Sequence, residues 1–420
     1  MENPSANSLI DPDYKAAIPE SIGTIETSLH TVNGRICVGS AYVNDATHYA
    51  LLRLKDNGEL DTTFGKQGLT TGSFGRTQSL IYSVTELDDG ALLVIGLTSE
   101  GSYFFDGVPV LARFTKDGTL DENFQGKGYV IIERPEGLKQ EPRVLPLKKE
   151  QLKQEQSESK QNPSLSNNYP IRCVGDKILV LGNYFGLNCV LMTFDLNGNR
   201  DGFTELKRSD DTWLHGLNLH ASEEAILICA RIYNDLGLPN GGCVVSLTPE
   251  GEYSPGFGTD GVANFPTALK TVENFLVLPA AKRIIGCGMG ESREGVLVAM
   301  TTKGGEDDFR FSQLRDYSLG WNQLVAFSPQ RADSRLLAAG VWNNRINAPM
   351  LLGRFCADGK LDDSFGDGGT KDILLDDMIS TAARRCEIDS NGKTLVHCMS
   401  TKSTAIAYGT LIRCLTAISD

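Results

Sequence analysis

A short phrase that recurs about every 60 residues constrains the fold of this chain more than any other feature. Its clearest copies are residues 53–65 (RLKDNGELDTTFG), 113–124 (RFTKDGTLDENF) and 354–366 (RFCADGKLDDSFG). The apolar strand before the phrase survives where the phrase is degenerate, and its anchor column falls at Arg53, Arg113, Thr193, Ser246, Ala299, Arg354 and Arg413. A period of this size marks an array of similar units, here seven, and not a fold built around one site.

Each unit carries a second apolar run upstream of the anchor strand. These runs close on a small residue, which in chain order is Gly39, Gly96, Gly182, Ala230, Gly288, Gly340 and Cys398. Glycine inside a strand usually marks a place where another backbone comes close. Asn-Gly and Asp-Gly pairs separate the runs, and such pairs supply the positive φ angles of tight hairpins. Each unit is therefore predicted to be a four-stranded antiparallel meander without a helix.

The two ends of the sequence complement each other. The last unit ends after its third strand, while residues 7–14 (NSLIDPDY) align without gaps on residues 57–64 (NGELDTTF). We expect the N-terminal segment to supply the fourth strand of the last unit, because ring closure removes the two exposed edges of an open array. The predicted fold is all-β, a seven-bladed β-propeller of four-stranded antiparallel blades that forms a single domain over residues 1–420.

The phrase resembles the delta-60 repeat of bacterial proteins, whose core is Gly-x-Leu-Asp-x-x-Phe-Gly with about this period. The resemblance spans essentially the whole chain and is specific at residues 60–65, 120–124 and 361–366. Elsewhere the phrase is degenerate: Ser254 replaces the Asp before Phe257, and the Asp201/Phe203 and Asp307/Phe309 pairs have a shorter spacing. The resemblance implies a propeller-like fold and no defined chemistry.

The repeated Asp and aromatic residues are interpreted as structural. They are Asp61, Phe64, Asp121, Phe124, Phe257, Asp362 and Phe365, with Asp11 and Tyr14 as the N-terminal copy. An Asp carboxylate can accept a hydrogen bond from the backbone two residues on, which fixes a turn. Each aromatic side chain of the phrase is expected to be buried between adjacent blades, which contributes about 2–3 kcal/mol to stability for each side chain. We also expect the Arg residues of the anchor column to pair with these carboxylates.

Composition excludes several classes of partner. The net charge of -13 argues against nucleic acid or an anionic membrane, since both favour basic patches. No stretch is long and apolar enough to cross a bilayer, and the first residues lack the apolar core of a secretory signal. The ten cysteines include no Cys-x-x-Cys pair, and Cys37, Cys229, Cys243 and Cys287 lie in apolar strands. This pattern predicts free, buried thiols and a cytoplasmic location, with export that needs no cleaved signal as the open alternative.

Residues 139–168 interrupt the repeat between the second and third units. The segment is rich in Lys, Gln, Glu and Ser, so it carries too little apolar surface to offset the entropy of ordering the chain. It is interpreted as a flexible surface insertion between two blades, and a docking or regulatory loop is the alternative.

The sequence predicts no catalytic residue, metal ligand or cofactor. His215 and His220 are five residues apart, which on a regular strand places them on opposite faces and disfavours a shared metal ion. Binding candidates come from the long loops between second and third strands: Tyr103, Phe104, Phe105, Tyr184, Phe185, Tyr233, Trp342, Asn343 and Arg345. The candidates for a channel site are Trp321 with Asn322 and Gln323, Trp213 with His215, and Arg384 with Arg385.

Aromatic rings beside Asn and Arg suit either a protein contact or stacking on a sugar ring. The predicted function is therefore a non-enzymatic binding or scaffold protein that presents this loop face to a protein or peptide partner. Two alternatives stay open: a lectin-like carbohydrate-binding propeller, and a propeller hydrolase or lyase with carboxylates in its channel.

Overall fold

The computed structural model describes most of the chain. The described residues are 9–101, 107–136, 138, 170–183, 188–208, 212–234, 237–313, 319–331, 334–342, 348–389, 391–403 and 406–415. Within them the secondary structure is entirely β, as predicted, and consists of strands and tight turns. No helix able to span a membrane is found in this part of the chain. The predicted insertion at residues 139–168 lies outside the described residues.

The strands follow one another as antiparallel meanders in which each strand pairs with its neighbour in sequence. Sheet 1 consists of β1 (Ile22–Thr31), β2 (Gly34–Val43), β3 (Ala46–Leu54) and β4 (Leu69–Gly72). Sheet 2 consists of β5 (Gln78–Glu86), β6 (Leu92–Ser99), β7 (Val108–Phe114) and β8 (Tyr129–Ile131). Sheet 3 consists of β9 (Ile171–Val174), β10 (Lys177–Gly182), β11 (Val190–Asp195) and β12 (Arg200–Glu205).

The second half of the chain repeats this pattern. Sheet 4 consists of β13 (Trp213–Ala221), β14 (Ile226–Tyr233), β15 (Pro239–Leu247) and β16 (Val262–Asn264). Sheet 5 consists of β17 (Thr271–Leu278), β18 (Arg283–Met289), β19 (Gly295–Thr301) and β20 (Glu306–Gln313). Sheet 6 consists of β21 (Leu319–Ala326), β22 (Leu336–Trp342), β23 (Met350–Phe355) and β24 (Thr370–Ile373). Sheet 7 consists of β25 (Ser380–Ile388), β26 (Thr394–Ser403) and β27 (Ile406–Cys414).

Backbone contacts link neighbouring sheets; Ala348, which precedes β23 of sheet 6, forms a parallel bridge with Ser380 of sheet 7. A single parallel pair, Gly241 with Thr271, joins sheets 4 and 5. The N-terminal segment lies beside β27, where Ile10 forms an antiparallel bridge with Cys414. On either side of that bridge the Asp11 amide donates to the Arg413 carbonyl oxygen at 2.8 Å, and the Leu415 amide donates to the Leu9 carbonyl oxygen at 2.7 Å. The N-terminal segment thus pairs with β27, the last strand of the sheet that it was expected to complete.

The hydrophobic core lies between consecutive sheets. Phe64 and Phe114 belong to a buried cluster that sheets 1 and 2 share, and equivalent clusters lie between the later neighbouring sheets. A further cluster packs Leu395 and Leu411 of sheet 7 against Ile25 of sheet 1. Because the sheets are covered on both faces, their central strands read as continuous apolar runs, not as alternating ones.

The cysteines belong to this core. All ten are free, and Cys37, Cys229, Cys243 and Cys287 are buried. Burial raises the pKa of the Cys37 thiol to about 12, so that the un-ionised form persists at neutral pH.

The first strand of most sheets contains a β-bulge at one fixed position. The bulged residues, which have no partner on the second strand, are Glu26, Tyr82, Leu217, Glu273, Asn322 and Arg384. The residue before each bulge pairs with the small residue of the second strand, as Ile25 pairs with Gly39. A Cβ atom on Gly39 would lie 2.0 Å from the Thr24 carbonyl oxygen. The column of small residues therefore marks where the bulged first strand presses against the second strand.

Replacing Gly39 with Ala is expected to lower the free energy of unfolding by about 1–3 kcal/mol, because the added methyl group has no room beside the Thr24 carbonyl. Gly256→Ala is the control, since nothing lies within 4 Å of a Cβ atom at Gly256. Urea unfolding of both variants measures the difference. Equal stability of the two variants would contradict a steric role for Gly39.

Candidate functional site

The repeated phrase forms an Arg–Asp–aromatic unit that ties one sheet to the next. Arg53 Nε donates to Asp61 Oδ2 at 2.7 Å, and the guanidinium lies 5.1 Å from the centroid of the Phe64 ring. Asp61 Oδ1 accepts from the Thr63 amide at 3.0 Å, which is the expected turn contact. Arg53 Nη1 donates to the Lys116 carbonyl oxygen of sheet 2 at 3.1 Å. The polar groups of this unit are therefore engaged in holding the turn and the contact between sheets.

Equivalent units occur elsewhere in the chain. The Nε–Oδ2 distances are 3.2 Å for Arg113–Asp121, 2.9 Å for Arg354–Asp362 and 2.9 Å for Arg283–Asp307. The aromatic members Phe64, Phe124, Phe257, Phe365 and Tyr14 are all buried. Phe203 of a degenerate copy is instead 39% exposed, in a unit with Thr193 in place of the anchor Arg.

The N-terminal copy places the same unit between sheet 7 and sheet 1. Arg413 Nε donates to Asp11 Oδ2 at 2.9 Å, and the guanidinium lies 4.5 Å from the centroid of the Tyr14 ring. Lys393 Nζ donates to the same carboxylate oxygen at 2.6 Å. Arg413 Nη1 donates to the Asp56 carbonyl oxygen of sheet 1 at 3.3 Å, which repeats the donation that links sheets 1 and 2. The hydrogen bond from Lys393, helped by Arg413 and opposed by burial, lowers the pKa of Asp11 to about 2.

A second polar cluster lies between the same two sheets and contains Ser, His and Glu side chains. Ser28 Oγ is 3.2 Å from His397 Nε2, and Glu387 Oε1 is 2.7 Å from that same nitrogen. A hydrolytic triad needs the carboxylate on Nδ1 and the hydroxyl on Nε2. Here Nδ1 is buried without a hydrogen-bond partner among the described residues, and His397 is fully buried. Arg35 Nη1 lies 2.7 Å from Glu387 Oε1, so the cluster is a buried ion-pair network that links sheets 1 and 7.

Most of the predicted aromatic loop site falls outside the described residues. This applies to Tyr103, Phe104, Phe105, Tyr184, Phe185, Asn343 and Arg345. The backbone of Trp342 ends β22. Tyr233 is described, and its ring stacks on Trp213 with centroids 4.2 Å apart and an interplanar angle of 12°. His215 meets the Tyr233 ring edge-on at 6.3 Å, so these three side chains form one cluster at the start of β13.

Trp321, a candidate for the channel site, lies in the core. Its side chain is fully buried between sheets 5 and 6, where the indole packs edge-on against Phe355 at 5.7 Å. A Cβ atom on Gly295 or Gly353 would lie within 2.7 Å of the indole, so both glycines make room for it. Trp321 precedes the bulge of β21, at the position that faces the neighbouring sheet.

A cavity of about 240 Å³ lies where the first strands of the sheets meet. Residues of β1, β5, β9, β13, β17, β21 and β25 line it. Five bulged residues are among them, namely Glu26, Tyr82, Leu217, Glu273 and Arg384. Bulges re-aim side chains, and here they bring the bulged residues to the cavity wall. Of the predicted channel residues, Gln323, Arg384 and Arg385 line this cavity.

Amide side chains connect three of the lining strands. Asn218 Nδ2 donates to Asn274 Oδ1 at 2.7 Å, and Asn274 Nδ2 donates to Gln323 Oε1 at 3.5 Å. Each of the three residues directly follows the bulge of its own strand. The polar wall is therefore fixed by hydrogen bonds between sheets before any ligand binds.

A buried ion pair lies beside this wall. Arg231 Nη2 is 2.7 Å from Glu273 Oε1, and Arg231 also donates to the Val272 carbonyl oxygen from Nε at 3.2 Å and from Nη2 at 3.1 Å. Burial raises the pKa of the Glu273 carboxyl, and the Arg231 charge opposes that rise. The pair is a desolvated charge system within the protein, which ties β14 to β17.

Three arginines, Arg172, Arg384 and Arg385, line the cavity itself, and the charge of Arg385 acts on Arg172. Burial lowers the pKa of Arg172 to about 10, and the charge of Arg385 adds to this effect. Burial also lowers the pKa of Arg385, against the attraction of Glu387. His220 lines the same cavity, and its pKa is lowered by desolvation and by the charge of Arg172. Arg172, Arg385 and His220 thus lie within electrostatic reach of one another.

Sequence reasoning identified Arg384 and Arg385 but missed Glu26, Arg172 and Glu273. The column of small residues could have located most of these residues. Each small residue of the second strand pairs with the first-strand residue that directly precedes the bulge. The bulge at Leu217 also breaks the strict alternation that the argument on His215 and His220 assumed. Among the described residues no group of three or more His, Cys, Asp or Glu side chains is arranged to hold a metal ion.

One family model matches the chain, over residues 33–64, and it is described as a domain of unknown function (DUF5122) beta-propeller. Together with the four-stranded antiparallel sheets, this match identifies the fold as a β-propeller. The comparison with curated proteins gives no significant match.

Several solved structures are similar in backbone. Polysaccharide lyase Uly1 is 9% identical, with a TM-score of 0.48 over 99% of this chain and 95% of that chain. The beta-propeller domain of the Trilobed protease from Pyrococcus furiosus is 9% identical, with a TM-score of 0.45 over 95% of both chains. A structure from a study of two prolyl endopeptidases is 11% identical, with a TM-score of 0.46 over 91% of this chain; the chain spans 47% of its length. At such identities the likeness says nothing of activity.

Proposed function

We propose that this β-propeller is a non-enzymatic binding protein with seven blades in a closed ring, and that its ligand binds in the central cavity. Three observations support closure by the N-terminal segment. Ile10 bridges to Cys414, a hydrophobic cluster joins sheets 7 and 1, and Arg413 donates to the Asp56 carbonyl oxygen. The last of these contacts has the same form as the contact between sheets 1 and 2.

The observation that carries the function is the cavity among the first strands. Its lining combines fixed amides, two glutamates and three arginines, contributed by six of the seven sheets. Convergent polar groups in a pre-formed concave site are typical of ligand recognition. The cavity is smaller than a drug-sized pocket of roughly 300–1,000 Å³, so it suits a compact ligand or one end of a larger one.

The partner class proposed is a protein or peptide that inserts one side chain or one terminus into the cavity. A peptide held in this way would extend toward the edge of the ring at which β13 begins, where Trp213 and Tyr233 stack. Stacked aromatic rings commonly anchor protein contacts. The aromatic loop residues predicted from the sequence belong to this proposal, as extensions of the same contact.

Two other classes draw on the same residues. A carbohydrate-binding propeller would use the Trp213–Tyr233 stack as a platform for a sugar ring. A hydrolase or lyase would use Glu26 and Glu273 in the cavity. Glu273 is committed to Arg231 at 2.7 Å, which favours a structural role for that carboxylate over proton transfer.

A cytoplasmic location is proposed from the ten free thiols, eight of which are buried. Reduced cysteines are the norm in the cytoplasm, where disulfides are rare.

Filling the cavity should abolish ligand binding. Glu26→Trp adds volume at a bulged lining residue, whereas Glu26→Gln removes the charge and keeps the size. Thermal shift assays of the wild type and both variants against short peptides, neutral sugars and small organic acids identify the ligand class. We expect at least one class to raise the Tm of the wild type and of Glu26→Gln but not that of Glu26→Trp. Failure of every class to show this dependence would contradict binding in the cavity.

A further inference from the structure

The central cavity carries an excess of positive charge inside an acidic protein. Arg172, Arg384 and Arg385 line it, together with Glu26 and Glu273. Arg231 lies against Glu273 at 2.7 Å and belongs to the same charge system. Four arginines against two glutamates leave two positive charges, whereas the whole chain has a net charge of -13. Such a local reversal of sign favours a negatively charged ligand at this position.

Arg172 and Arg385 are the two cations with the least compensation. Arg172 Nη1 donates to the carbonyl oxygen of its neighbour Ile171 at 2.7 Å, which supplies no opposite charge. In the described part of the chain, Arg385 forms no hydrogen bond and no ion pair. Glu387 attracts Arg385 at longer range, but its Oε1 already meets Arg35 at 2.7 Å.

Desolvation of a guanidinium group that has no counter-ion is costly, and two such groups in one cavity also repel each other. The lowered pKa of Arg172 has both causes, burial first and then the charge of Arg385. An anion between the two groups would remove both costs. Guanidinium groups bind carboxylate and phosphate through paired hydrogen bonds, which suits a planar or tetrahedral oxyanion.

We propose that the central cavity binds a ligand bearing a carboxylate or phosphate group, and that Arg172 and Arg385 hold this group. The inference rests on the proposed function, since it names the ligand class of the same cavity. The cavity of about 240 Å³ accommodates a small organic acid, inorganic phosphate or the acidic terminus of a peptide. Hydrogen-bonded amides at Asn218, Asn274 and Gln323 fix the polar wall beside the anion.

Calorimetric titration at constant ionic strength tests this proposal. Succinate, inorganic phosphate and a short peptide with a free C-terminus are titrated into the wild type, Arg385→Gln and Arg172→Gln. The amidated form of the peptide separates a terminal carboxylate from other peptide contacts. We expect at least one anion to bind the wild type, and each Gln variant to bind it at least tenfold more weakly. Glu26→Gln should bind the same anion several-fold more tightly, because a like charge is removed from the lining.

Arg310→Gln is the matched control, since Arg310 lies exposed on β20 and does not line the cavity. It should bind the anion as the wild type does. Without anion, the Tm of Arg385→Gln should equal or exceed that of the wild type, because repulsion with Arg172 is relieved; a clear fall in Tm would overturn the inference.

The outcomes also separate this inference from the proposed function. A cavity ligand that is neutral and binds Arg385→Gln as it binds the wild type would refute the anion site and leave the binding function standing. If no ligand bound the wild type and failed to bind Glu26→Trp, both the anion site and the proposed binding function would be refuted.

Discussion

Replacing Asp11 with Asn is expected to lower the free energy of unfolding by about 3 kcal/mol, because it breaks a buried ion pair from one side. Asp11 is 2% exposed and accepts from both Lys393 and Arg413. The amide keeps the size of the side chain and can still accept from the Asp13 amide, which Asp11 Oδ1 does at 3.0 Å. The change therefore isolates the charge that ties the N-terminal segment to sheet 7. Urea unfolding at neutral pH measures the loss.

The exposed neighbour Asp13 provides the control, and Asp13→Asn should leave stability within about 0.5 kcal/mol of the wild type. The pKa of Asp11 falls from 3.8 to about 2 on folding, so its contribution is present above pH 3.8 and is lost as the pH falls toward 2. The stability difference between the wild type and Asp11→Asn should shrink over that interval. A difference that stays constant from pH 5 to pH 2 would exclude the ion pair as its cause.

Phe64→Ala is expected to lower the free energy of unfolding by about 3–5 kcal/mol, the usual cost of removing a fully buried ring. Phe64 is completely buried in the core between sheets 1 and 2. A Cβ atom on Gly118 of sheet 2 would lie 2.5 Å from the ring, which shows how closely the turn of the next sheet covers it. The variant therefore leaves a cavity that the turn cannot close. Chemical unfolding with the same probe gives the value.

Phe203→Ala is the matched control, because Phe203 occupies a degenerate copy of the phrase and is 39% exposed. Its cost should stay below about 1 kcal/mol. If the two Phe variants lost equal stability, the repeated aromatic residue would not be acting through burial between sheets.

The repeat allowed much of the fold to be predicted. Each unit has the same strand order, so a period of about 60 residues, Asn-Gly and Asp-Gly turns and apolar runs were enough to predict four-stranded antiparallel sheets. The turn role of Asp61 also followed from local chemistry, since the acceptor and the Thr63 amide are two residues apart. Local contacts of this kind are visible in sequence because both partners lie in one short segment.

The candidate site could be predicted less completely. Trp321 and Tyr233 were both candidates for binding because both are aromatic. Trp321 is fully buried, whereas Tyr233 stacks on Trp213 at the start of β13. Which face a residue takes depends on its place relative to the bulge, and one bulged residue reverses the alternation for the rest of the strand. Regular alternation therefore does not predict the side on which Trp321 lies, because the bulge at Asn322 follows it directly.

The sequence by itself determined the repeated unit, because strand pattern, turn chemistry and the Asp and Phe of the phrase all act within about 60 residues. Only the tertiary structure decided which side chains meet at the centre. Arg172 and Arg385 are more than 200 residues apart in the chain, and they line one cavity because their strands are both first strands of their sheets. Such proximity depends on how the sheets pack against one another and on where each strand bulges, and neither is a property of any single repeat.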